Sequence, residues 1–183
     1  MSSAPSNNPL IQQLQLLLTG YGYNFYNKTN QARTDDQLVR ERASYNLGQA
    51  VMLLAQLRSD YSTRFVPPLT RANPDPPVEA MAQLRAIEAA QQALSSVESH
   101  IRAMPVPTQD RTWWRIRQEQ NLLEQLLSFD LTLVRDSEQL YQYVAQLTPE
   151  SWNSKESEGI LRQMTQQLNR LAQERERFLL LPL

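Results

Sequence analysis

Apolar residues return at helical spacing through most of this 183-residue chain. Leu10, Leu14, Leu17, Tyr21 and Phe25 step by 4, 3, 4 and 4, the intervals that bring side chains back to one face of a helix. Asn8 is placed to cap this helix, with Pro9 in its first turn. Residues 1–8 are polar and read as a flexible tail.

A second stripe runs Leu47, Val51, Leu54, Leu57, Tyr61 and Phe65, with Leu38 and Tyr45 extending it upstream. Thr34, Asp35 and Asp36 are the candidate caps. The helix then spans Asp35 to Arg64, about 45 Å at 1.5 Å per residue. The segment VPPLTRANPDPP, residues 66–77, holds five prolines and predicts an extended crossing loop. A third helix carries Leu84, Ile87, Ala90, Leu94, Val97, Ile101 and Met104, and ends in a second loop, residues 104–110, at Pro105 and Pro107. Thr108 or Asp110 caps a fourth, whose stripe is Leu122, Leu126, Phe129, Leu133, Leu140, Val144 and Leu147. Thr148-Pro149-Glu150-Ser151 is a cap with proline at the first helical position. After an irregular turn around residues 152–157, a fifth stripe runs Leu161, Met164, Leu168, Leu171, Arg175 and Phe178.

No convincing strand accompanies these segments. The fold class is therefore all-α: a single elongated antiparallel helical bundle of four to five long helices, one domain over residues 9–183. The stretch LTGYGYNFYNK, residues 18–28, is the ambiguous one. As a strand it would leave its backbone groups unpaired. As a helix, Tyr21 and Phe25 continue the leucine stripe while Tyr23 and Tyr26 turn outward, near Arg33, Arg40 and Arg42. Gly20 and Gly22 cost about 2 kcal/mol together relative to alanine, which leucine packing offsets. The helix is expected to kink there and fray by Asn30.

Composition supports the helical reading, with 28 Leu, 21 Gln and only 4 Gly. Sixteen of the 18 basic residues are Arg, a bias that suits carboxylate or phosphate recognition but also follows from genome composition. A net charge of −1 gives no global field toward nucleic acid or an anionic membrane. With no cysteine, disulfides, thiolate metal sites and thiol chemistry are excluded. The N-terminus lacks a secretory pattern and no run is long enough for a membrane span. A cytoplasmic location is the expectation.

Little in the sequence carries chemistry. His100 is the single histidine, too few for a paired Glu-x-x-His di-iron site, and no nucleophile elbow lies near it. No catalytic residue, metal site or cofactor is assigned. The polar residues on the stripes are more informative. Asp136 sits between Leu133 and Leu140, and Arg175 between Leu171 and Phe178. Each either snorkels at a bundle end or joins a buried ion pair that fixes register. As a direct pair across a tight hairpin their depths, 13 residues before Pro149 and 26 after it, do not match.

Three candidate contact surfaces remain. In DRTWWRIR, residues 110–117, Trp113 and Trp114 stand among Arg111, Arg115 and Arg117. Trp113 and Arg117 share a helix face, so one Trp is expected in the core and the other at the surface. Tyr23 and Tyr26 form the second. The C-terminal run Phe178, Leu179, Leu180 and Leu181, continuing to Leu183, either caps the bundle or docks in a groove. Function is read as non-enzymatic: an adaptor or scaffolding bundle with a protein partner or a homo-oligomeric state. The alternatives are a nucleic-acid-binding module using the same Arg, Trp and Tyr side chains, and a small-molecule or cofactor pocket lined by Tyr21, Phe25, Tyr45 and Tyr61.

Overall fold

A computed structural model of the chain describes residues 9–18, 29–68, 70–71, 75–153 and 155–180. Seven helices account for nearly all of them: α1 (Pro9–Leu18), α2 (Thr29–Phe65), α3 (Val78–Ala103), α4 (Asp110–Gln118), α5 (Gln120–Ala145), α6 (Pro149–Trp152) and α7 (Lys155–Leu180). Tyr21, Tyr23, Phe25 and Tyr26 fall outside the described residues, as does the expected continuation of the first helix through them.

The four long helices form a ring in which α2 and α7 each touch both α3 and α5. Polar contacts fix their directions. Arg40 donates to the carbonyls of Arg102 and Met104 and Ser44 donates to Glu98, so α2 and α3 are antiparallel. Gln167 bonds Asp136 and Arg175 bonds Asp130, so α5 and α7 are antiparallel too. Asn46 donates to Ser137 and His100 meets Glu176, so the two hairpins lie side by side, α2 parallel to α5 and α3 parallel to α7. The antiparallel pairing is thus within each hairpin. The connection from α3 to α5 crosses one end of the bundle diagonally, and α4 lies within that crossing.

The expected stripes supply the main core: Leu47, Leu54, Leu57 and Tyr61 from α2, Ile87, Leu94, Val97 and Ile101 from α3, Leu133, Leu140 and Val144 from α5, and Leu161 and Leu168 from α7. A second apolar cluster fills the crossed end, with Ile11 and Leu14 of α1, Trp113 and Ile116 of α4, Leu126, Leu127 and Leu131 of α5, and Leu179 of α7.

Three expectations need correction. Tyr45 does not join the core stripe; it is 58% exposed. Lying two residues before Leu47, it sits about 200° around the helix from it, on the opposite face. Asp35 and Asp36 are not caps, because α2 begins six residues earlier at Thr29 and both side chains are buried. The expected fourth helix is two, broken at Glu119, whose backbone is extended at φ −93, ψ 101. The break lets the chain turn from crossing the bundle end to running along the bundle. At the opposite end the capping box of Thr148 and Ser151 forms as the sequence implied, with Pro149 in the first turn of α6.

Candidate interaction surfaces

At the crossed end, α4 is locked on one side and open on the other. The Trp113 indole N–H donates to the Pro107 carbonyl at 2.9 Å, and the whole side chain is buried. Ile116, three residues on, is buried with it. Arg33 of α2 holds the start of α4 through the Thr108 carbonyl and through Asp110 at 2.8 Å. One residue from Trp113, about 100° around the helix, Trp114 is 56% exposed. The division expected of the two tryptophans is therefore the one observed.

Arg111 and Arg115 stand on α4 on one side of Trp114. Arg115 is neutralised by Glu119 at 2.6 Å; Arg111 is exposed and makes no ion pair among the described residues. Arg117 donates to the Trp113 carbonyl at 3.3 Å, tying it to its own helix. The surface is an exposed indole with arginines beside it in sequence, on a helix whose position the core enforces. That combination suits docking, since a rigid aromatic loses little entropy on being covered.

The C-terminal run is divided. Phe178 is half-buried, its ring centroid 5.7 Å from that of Phe129, and Leu179 is buried in the second cluster. Both are part of the fold and unavailable as a docking tail. Leu180 is exposed, and Leu181 lies outside the described residues.

The two polar residues on the stripes part company. Arg175 is fully buried, as the sharper expectation required, but Asp136 is not its partner. Its Nε donates to Asp130 at 2.7 Å and its Nη2 to Asp36 at 2.6 Å, both carboxylates being fully buried as well. Arg40 approaches the other oxygen of Asp36 at 3.0 Å. One guanidinium fork thus joins α2, α5 and α7, and Arg40 extends the network to the end of α3. Asp136 instead accepts from Gln167 at 3.0 Å near the surface. The sequence pointed neither to Asp36, expected as a helix cap, nor to Asp130 as a partner of Arg175. The signal was present in that Asp130 falls beside Phe129 and three residues before Leu133, within the apolar face of α5.

His100 is half-buried and contacts Glu176 at 3.1 Å. Among the described residues, no group of three or more His, Cys, Asp and Glu side chains is placed to hold a metal. Of the four aromatics expected to line a cofactor pocket, the two described ones, Tyr45 and Tyr61, lie 16 residues apart on one helix, about 24 Å. Tyr61 is buried and Tyr45 exposed, so they line no common pocket. No helix among the described residues is long and apolar enough to cross a membrane. The chain matches no family model, no curated protein and no solved structure, so any function must be argued from these surfaces.

Proposed function

We propose that this protein is a non-enzymatic binding module of the adaptor or scaffold type, which docks a protein partner in the cytoplasm through the outer face of α4. The observation that supports this reading is Trp114: a large indole more than half exposed, next in sequence to an indole wholly buried to fix the helix. A solvent-facing tryptophan on a rigid support loses apolar hydration when covered and offers an anchor at the centre of a contact. Arg111, exposed and without an ion pair among the described residues, gives the rim a directional donor for carboxylates or carbonyls.

The test is affinity capture with the intact chain and with Trp114→Ala, each with and without nuclease. A partner held by the intact chain, kept after nuclease and lost with Trp114→Ala, is the expected result. Loss on nuclease treatment would transfer the surface to nucleic acid, and binding that survives Trp114→Ala would remove α4 from the contact. Because Trp114 contributes little to the core, the variant should melt within about 0.5 kcal/mol of the parent.

A further inference from the structure

The outward face of α2 carries a stripe that the bundle does not use. Tyr45 and Met52, seven residues apart, are 58% and 64% exposed. Between and beyond them on the same face stand Gly48 and Ala55. Gly48 lies in the interior of the longest helix, where glycine is less favourable than alanine. Its own fold gives no reason for it, because a Cβ built there would meet nothing within 4 Å. The notch is open to solvent.

The order of large and small residues is self-complementary. A two-fold axis passing close to residue 50 pairs Tyr45 with Ala55 of a second copy and Met52 with Gly48 of the second copy. The reverse pairs follow by symmetry. Each bulky side chain then meets a small one, as interdigitating helices require. Glu41 falls opposite Ser59, so no like charges meet along the centre line.

Charge agrees with the same axis. Arg42 and Asp60 lie on one flank of the stripe, about 80° from Met52 in each case. In an antiparallel pair related by that axis, this flank faces its own counterpart, and Arg42 comes within two residues, about 3 Å along the helix, of Asp60 of the second copy. Within the chain neither has a salt-bridge partner among the described residues. The Arg42 Nε is buried without a hydrogen bond, and its guanidinium carbon stands 5.9 Å from the Tyr45 ring centre. The cation is thus already held against the aromatic side chain that the contact would cover.

We propose that a second copy of this chain docks on the α2 face, forming an antiparallel dimer centred near residue 50. The contact runs from Glu41 to Asp60, about 30 Å. It is separate from the α4 surface and does not rest on the function proposed above.

Sedimentation equilibrium across a dilution series, on the full chain, reads the association directly. The expected mass is near twice 21.2 kDa at high concentration, falling to that of one chain on dilution. Gly48→Leu should raise the melting temperature of the monomer, since the space is open and leucine favours helix. It should also weaken association about tenfold by filling the notch. Arg42→Asp should weaken association about tenfold, and Arg42→Asp combined with Asp60→Arg should restore it. Trp114→Ala should leave it unchanged. A chain that stays monomeric at every concentration overturns the proposal. So does a dimer indifferent to Gly48→Leu, or one that responds to Trp114→Ala instead, which would place the contact on α4.

Discussion

Arg175 shows what a single polar residue on an apolar stripe can do. Its guanidinium is buried with Asp36 and Asp130 and cannot be hydrated, so it balances both carboxylates, sharing Asp36 with Arg40. Removing one partner of a buried ionic set leaves a charge that neither water nor protein compensates. Arg175→Leu should therefore cost about 3–5 kcal/mol in urea unfolding. Asp136→Leu, which breaks the bond to Gln167 and the 3.6 Å pair with Arg135 near the surface, should cost at most about 1 kcal/mol. Equal losses from the two would show that the buried network is not special. At the far end of α2, burial raises the Tyr61 phenol above its ordinary pKa of 10.0. The unfolded chain then loses this proton first. Tyr61's contribution to stability is intact below pH 10 and falls as pH rises from there toward the folded pKa. Tyr61→Phe should flatten that part of the stability–pH curve; an unchanged slope would assign the alkaline loss to other groups.

At the scale of the helix, ends and breaks decide the architecture. Thr148 and Ser151 satisfy each other's backbone donors, and Pro149 sets the first turn of α6. Thr148→Ala should lower stability by about 1 kcal/mol, measurable as a shifted urea midpoint at constant slope. That cap was readable from four consecutive residues, because capping is local. The break at Glu119 was not. Residues 110–145 carry no proline or glycine, and periodicity alone joined them. The chain turns because Trp113 and Ile116 must enter the core at the bundle end while Leu126 and Leu133 line it lengthwise. Tyr45 stays out of the core for a related reason. A step of seven from Leu38 fits a helix face, but the face it fits is not that of Leu47.

Over the whole molecule, the diagonal crossing gathers the C-terminal end of α7, α1 and α4 around the second apolar cluster. Deleting residues 179–183 removes Leu179 from that cluster, so it should lower stability by about 2–5 kcal/mol and loosen the packing around Trp113, seen as a red-shifted emission. A truncated chain with an unaltered melt would return the C-terminus to the role of a free tail. The crossing also leaves α2 bordering α3 on one side and α5 on the other, which frees the stripe from Tyr45 to Ala55.

The sequence by itself determined that this chain is helical, where several of its helices start or stop, and that one of two adjacent tryptophans would enter the core while the other stayed at the surface. Those properties follow from the 3.6-residue period, from cap chemistry and from proline, all of which act within a few residues. Only the tertiary structure decided that the two hairpins lie parallel, that α3 and α5 are diagonal, and that Arg175 closes on Asp36 and Asp130. Asp36 is 139 positions from Arg175, a separation over which no local rule operates. Their meeting is set by how four apolar faces pack together, and the same packing decides which faces remain open to a partner.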